Sequence, residues 1–265
     1  MILVIAGTLE GREVATCLSQ AGYAVLATTT TEYGAKLIGP GDFLEVRAEG
    51  LTPEGLTELV QERGIRLVVD ASHPFATAVS HLAVEVCRQL GIGYLRLERP
   101  SSCLPAHPLI YRVCSWTAAV ELAGQLGDTI FLTIGTRHLA DFMTGTRAGK
   151  RLVVRVLPNA EAIRTCAELG IPGSDIIAMQ GPFSRELNRA IFQAYGADVI
   201  VTKESGDAGG VESKVSAALD LGLPVVVVNR PALNYPHVVY SVPAVLEWLR
   251  RSEQDEDCSG GSRSR

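Results

Sequence analysis

The sequence predicts an α/β protein built as two Rossmann-like, doubly wound lobes whose parallel sheets face a central cleft. Short apolar runs alternate with amphipathic stretches over nearly all 265 residues, the pattern of βαβ units whose strands are covered by helices. The two halves also echo each other: the start of the chain through Gly7-Thr8 resembles 129–141 through Gly135-Thr136-Arg137. In the same way the strand end at 66–70 resembles 198–202, and 90–100, ending in Arg99-Pro100, resembles 221–231, ending in Arg230-Pro231. Any two βαβ segments share some likeness, but a true repeat predicts two sheets of one topology, each binding ligand beyond the carboxyl ends of its strands.

Taken in order, the first half reads as strands near 2–6, 23–28, 43–47, 66–70 and 94–97, with helices near 10–21, 52–63 and 75–90. A proline-marked stretch from Pro100 through Pro105 to Pro108 interrupts the pattern and is the expected hinge. The second half restarts with strands near 110–113, 129–134, 151–156, 175–178, 198–202 and 225–229, and helices near 115–126, 159–169, 184–195, 211–221 and 243–251. The expected lobes are therefore 1–100 and 101–251, followed by a polar, Ser/Gly-rich tail over 252–265 that is expected to be disordered.

Composition narrows the classes of function. A net charge of -5 and a pI near 5.6 give no field that would draw nucleic acid or an anionic membrane, so an anionic ligand needs a local basic pocket. The six cysteines show no C-x-x-C spacing and read as buried thiols of a reducing compartment, with no metal site expected. The apolar start is too short for a signal peptide, and no run approaches a membrane span, so a cytoplasmic protein is expected, monomeric or a small homo-oligomer.

The first strand runs at once into Gly7-Thr8-Leu9-Glu10-Gly11-Arg12 and a helix, where backbone amides at a helix start can cradle a phosphate. Gly7, Thr8, Glu10, Gly11 and Arg12 are the candidate dinucleotide contacts, although G-x-x-x-G is an incomplete fingerprint and also suits a plain tight turn. An NAD site carries a carboxylate at the end of the second strand, whereas here Thr28 to Thr31 stand there. Hydroxyls at Thr29 and Thr30 would tolerate a 2'-phosphate, with Arg12, Lys36 or Arg47 as counter-charge, which favours NADPH; Glu32 just beyond argues the other way. Ser72 and His73, at the end of the strand near 66–70, either reach the pyrophosphate or nicotinamide or merely cap the following helix.

Six motifs in register resemble the precorrin-6A reductase family of cobalamin biosynthesis. They are Gly7-Thr8-x-Glu10-Gly11-Arg12, Asp70-Ala71-x-His73-Pro74-Phe75, the run from Tyr94 to Pro100, Gly181-Pro182-Phe183-Ser184, Thr202-Lys203-x-Ser205-Gly206 followed by Lys214, and Arg230-Pro231. The resemblance implies an NADPH-dependent enzyme that reduces one double bond of precorrin-6A, or of its cobalt-containing counterpart, to the 6B form. Its substrate would be a polycarboxylate tetrapyrrole, so the second lobe should supply cations and amides. Lys203 and Glu204 are the candidate catalytic residues, and Arg137, Ser184, Lys203, Ser205 and Gly206 the candidate substrate contacts. Two other classes remain open at this point: another two-lobed tetrapyrrole enzyme such as a methyltransferase, and a bilobal binding protein without chemistry.

Overall fold

The computed structural model describes residues 1–39, 41–146, 149–206 and 209–260, the last six of these as backbone. The chain divides into two compact units, Met1–Arg99 with Ala232–Arg265, and Pro100–Pro231.

In the first unit the chain runs β1 (Ile2–Ile5), α1 (Leu9–Gln20), β2 (Val25–Thr29), α2 (Glu32–Lys36), β3 (Leu44–Ala48), α3 (Pro53–Arg63), β4 (Leu67–Asp70), α4 (Thr77–Leu90) and β5 (Gly93–Leu97). It later returns as β12 (Val238–Val239) and α10 (Val242–Gly260). The sheet order is β12-β5-β4-β1-β2-β3, and every pairing is parallel. The central strands β1, β2 and β4 are buried along their whole length because both faces of the sheet are covered. Val4, Val69 and Leu95 pack with Val14 and Leu18 of α1 and Val245 and Leu249 of α10. On the other face Leu3, Val68 and Tyr94 pack with Leu56 of α3 and Ala83 and Val86 of α4.

The second unit runs β6 (Ile110–Val113), α5 (Trp116–Leu126), β7 (Thr129–Leu132), α6 (Leu139–Gly145), β8 (Arg151–Val156), α7 (Ala160–Glu168), β9 (Ile176–Ala178), α8 (Arg185–Ala194), β10 (Val199–Lys203), α9 (Val211–Asp220) and β11 (Val225–Val228). Its sheet order is β6-β11-β10-β7-β8-β9, again parallel throughout. Phe131, Ile200, Val225 and Val227 pack against Phe192 of α8 and Val211 and Val215 of α9.

Counted along the chain the first sheet has the doubly wound order 3-2-1-4-5-6, and the second has the same order when β7 is counted first and β6 last; the order reverses between β1 and β4 and between β7 and β10. The equivalences β1 with β7, β4 with β10 and β5 with β11 are those the sequence repeat anticipates. The sixth strands are exchanged. β6 follows β5 in the chain but pairs with β11, and β12 follows β11 but pairs with β5.

This exchange corrects the expected boundary. Residues 232–251 do not close the second lobe; β12 extends the first sheet and α10 packs on α1. The expected disordered tail is also helical from 252 to 260, because α10 continues through it; 261–265 lie outside the described residues. The short elements α2, α6 and β12 are absent from the sequence reading, since five, seven and two residues are too few to establish a period. The helix expected from 75 begins at Thr77, after Pro74. Cys87 and Cys166 are buried, Cys17 is half-buried, and Cys103 and Cys114 are exposed, contrary to a uniformly buried set; the side chain of Cys258 lies outside the described residues.

Candidate functional site

The switch point of the first sheet lies between the turns that follow β1 and β4. Thr8 is the N-cap of α1: its hydroxyl oxygen accepts from the Gly11 amide at 3.0 Å and its hydroxyl donates to the carbonyl of Ala71 at 2.8 Å. The cap uses the Gly11 N–H, and helix geometry leaves those of Leu9 and Glu10 without an intrahelical acceptor. A Cβ added at Gly7 would meet nothing within 4 Å, so the backbone there is open to an approaching group. At Gly11 a Cβ would stand 2.7 Å from the Ala6 Cα, so this glycine serves close packing of α1 on β1 rather than contact with a ligand. Glu10 is likewise committed, through an ion pair with Arg99 at 2.6 Å.

The other expected coenzyme contacts divide. Ser72 is buried and turned inward: its amide donates to Asp70, and its hydroxyl lies within hydrogen-bond distance of Ser80 and Arg96. A cavity of about 10 Å³, room for one water, touches Ser72, Thr8 and Arg96. His73 does not cap α4, whose first turn has no side-chain cap; its Nδ1 accepts from the Phe75 amide within the turn. The Thr29 hydroxyl donates to the Thr31 carbonyl and Thr28 is buried; Thr30 and Thr31 are exposed, and Thr31 caps α2, which leaves Thr30 as the exposed member outside the cap. Arg47 is paired with Glu45, whereas neither Arg12 nor Lys36 forms an ion pair with another described residue.

The second switch point lies between the turns that follow β7 and β10. Lys203 is the last residue of β10, and burial, then the charge of Arg137, lowers its pKa to about 8. Lys214 on α9 is buried, with Nζ donating to the Gly209 carbonyl at 2.7 Å; burial, then Arg155 and Lys203, lowers its pKa to about 7. Arg155 of β8 is buried too, held by the Asn188 Oδ1 at 2.8 Å and lying 4.1 Å from the centre of the Phe183 ring; burial lowers it to about 10. Arg137, Lys203, Lys214 and Arg155 thus form a chain of mutually repelling cations, and the last two are bonded to neutral acceptors. Arg155 and Lys214 are the additions of the tertiary structure. Lys214 was visible as a motif residue, while Arg155 sits inside a strand pattern and carries no local signal.

Three expectations in this unit are corrected. Glu204 is buried: Oε1 accepts from the amides of Ser102 (2.9 Å) and Gly206 (3.1 Å), and Oε2, which accepts no hydrogen bond from a described residue, is ion-paired with Arg230. Arg230 also donates to the Pro100 carbonyl at 3.0 Å, so the carboxylate ties together both ends of the unit and is not an available acid. Ser184 is the N-cap of α8, accepting from the Leu187 amide. Ser205 is buried against Gly209, where any Cβ would fall 1.9 Å from its Oγ. Gly206 has φ of 74°, a left-handed turn that lets the chain reverse directly after Lys203.

Two doubly wound sheets of Rossmann order, one with an open helix start at its switch point and the other with a cluster of cations, define a two-lobed α/β protein of the class that binds ligands beyond the carboxyl ends of its strands. A family model described as precorrin-6x reductase CbiJ/CobK matches residues 1–250, and the chain belongs to that family. It is an oxidoreductase of cobalamin biosynthesis acting on a CH–CH bond. Among similar proteins, a cobalt-precorrin-6A reductase from Priestia megaterium is 38% identical over 251 residues, covering 94% of this chain and 98% of that one. A precorrin-6A reductase from Rhodobacter capsulatus is 29% identical over 249 residues, covering 94% and 95%. A solved structure titled CobK precorrin-6A reductase superposes with a TM-score of 0.81 at 28% identity, covering 94% of this chain and 96% of that one. Among the described residues, no helix is long and apolar enough to cross a membrane.

Proposed function

We propose that this enzyme uses NADPH to reduce one double bond of cobalt-precorrin-6A, giving cobalt-precorrin-6B, in the cytoplasm. The observation that carries the reading is the group of four cations at the second switch point, in a protein whose overall charge is -5. Arg155 and Lys214 are buried, Lys203 is half-buried and Arg137 is exposed; cations gathered in this way are costly unless a polyanion completes them, as a macrocycle bearing several carboxylates would. The higher identity to the Priestia megaterium protein than to the Rhodobacter capsulatus one favours the cobalt-containing substrate over metal-free precorrin-6A.

The residues of the first unit suit a dinucleotide. The amides of Leu9 and Glu10 and the open backbone at Gly7 would receive the pyrophosphate, with Thr8 holding the turn. Thr30 with Arg12 or Lys36 would take the 2'-phosphate, and His73 would border the nicotinamide. The bound coenzyme supplies a hydride to a conjugated ring carbon, and a proton must then reach the neighbouring position. Lys203 and Arg137, with Arg155 and Lys214, would hold the substrate carboxylates. Lys203, lowered to about 8, also holds or releases a proton at Nζ near neutral pH. Loss of NADPH absorbance on adding cobalt-loaded and then metal-free substrate tests the reading; a protein that binds both but oxidises no coenzyme would overturn it.

A further inference from the structure

Asp70 ends β4, and the parallel register sets it beside Arg96 of β5. Both side chains are fully buried, beyond Tyr94 and Val68 on the same sheet face. A carboxylate at that depth is tolerated only when its lone pairs are filled. Four donors fill them. Oδ1 accepts from the Ser72 amide and from Arg96 Nη1, each at 2.9 Å, and Oδ2 from the hydroxyls of Ser80 (2.6 Å) and Tyr94 (2.8 Å). Arg96 in turn donates through Nη1 to Ser72 Oγ at 3.1 Å and through Nε to Glu98 at 2.8 Å, with the Tyr235 ring 5.2 Å from its guanidinium carbon. Burial raises the pKa of Asp70, but Arg96 and the hydroxyl and amide donors outweigh it and hold it below the usual value, so the pair stays ionised at neutral pH.

Apolar residues would pack this position at no electrostatic cost, so the pair calls for another explanation. Its bonds immobilise the backbone from Asp70 to Ser72, and Ala71, inside that stretch, accepts the hydrogen bond from Thr8. A continuous path therefore runs from Arg96 through Asp70 and Ala71 to Thr8 and the Gly11 amide that Thr8 caps.

We infer that the Asp70–Arg96 pair is a positioning device for the coenzyme, which holds the opening turn of α1 in its binding geometry before the pyrophosphate arrives. Neither residue touches the coenzyme; both act through Ala71 and Thr8, and rigid support of this kind raises affinity by removing the ordering cost of binding. The inference rests on the proposal that the coenzyme binds at the turn between β1 and α1.

The test is a double-mutant cycle in the intact enzyme, reading NADPH affinity by fluorescence titration together with the KM for substrate. Asp70→Asn is expected to weaken NADPH about tenfold and Thr8→Val by a similar factor, while the double variant is little worse than either, because each breaks the same path. Substrate KM stays within about twofold throughout, which a general loosening of the fold would not allow. Tyr94→Phe and Ser80→Ala each remove one donor without stranding a charge and are expected to weaken NADPH about two- to threefold; they carry the test if Asp70→Asn does not fold. Weaker NADPH binding in Thr8→Val with unchanged binding in the Asp70, Tyr94 and Ser80 variants overturns the inference, as do additive effects in the cycle. Unchanged NADPH binding in Thr8→Val overturns instead the coenzyme site on which it rests.

Discussion

The guanidinium of Arg230 pairs with the carboxylate of Glu204, one residue along the chain from Lys203. This pairing, with two backbone amides on the other oxygen, makes Glu204 a structural acceptor. Glu204→Gln is therefore expected to cost stability, by about 1–3 kcal/mol, since the partly buried Arg230 loses its counter-charge. Its kcat should stay within a few-fold of the parent. Urea unfolding and steady-state kinetics check this; a proton donor would instead lose about a hundredfold or more in kcat with stability intact.

The two glycines of the first turn should separate cleanly. Gly11→Ala forces a Cβ into the Ala6 backbone and is expected to destabilise the protein by about 1–3 kcal/mol. Gly7→Ala places its methyl in open space, so melting is unchanged while NADPH binds about tenfold more weakly, as the methyl occupies the approach of the phosphate. Thermal melts paired with coenzyme titrations distinguish them, and equal effects on both readouts would contradict the division.

Lys203 and Lys214 give a pH dependence with two signs. Their folded-state pKa values, about 8 and about 7, lie below the 10.5 of a free lysine. Between those values and 10.5 the unfolded chain binds more protons, so the unliganded enzyme gains stability from these groups as pH rises through that window. Substrate affinity moves the opposite way, because a neutral lysine cannot pair with a carboxylate. Substrate KM should rise above about pH 8, and binding near that pH should take up protons, seen as a buffer-dependent enthalpy in calorimetry. A KM that is flat across this range would remove both lysines from the substrate site.

Coenzyme choice should turn on Thr30, an exposed hydroxyl directly after β2 that takes no part in the α2 cap. Thr30→Asp supplies the carboxylate that holds a ribose 2'-hydroxyl and repels a 2'-phosphate, so NADPH should weaken about tenfold or more while NADH does not. Fluorescence titration with both coenzymes reads this directly; parallel losses would place the ribose elsewhere.

Much of this molecule was legible before folding. The central strands were readable because a strand buried on both faces is a continuous apolar run, the half-buried edge strands β3 and β6 from shorter mixed runs, and the repeat identified β1 with β7 and β4 with β10 from the turns that follow them. The positions of Gly7 and Thr8 after β1, of Arg137 after β7 and of Lys203 at the end of β10 were readable because such turns are local in sequence. Ser72, Thr29, Ser184, Ser205 and Glu204 hold internal hydrogen bonds that the sequence did not show, for one shared reason. A polar residue at a strand end or helix start has the same local signature whether it faces a ligand or closes an internal hydrogen bond.

By itself the sequence determined the α/β class, the parallel sheets and the turns at the strand ends, since these follow from periodicity and turn chemistry along short stretches of chain. Only the tertiary structure decided that β6 and β12 change sheets, that Asp70 meets Arg96, and that Arg155 joins Lys203 and Lys214. Those are pairings between groups distant in the chain, chosen by burial and by which buried donors find which acceptors, and no local pattern encodes them.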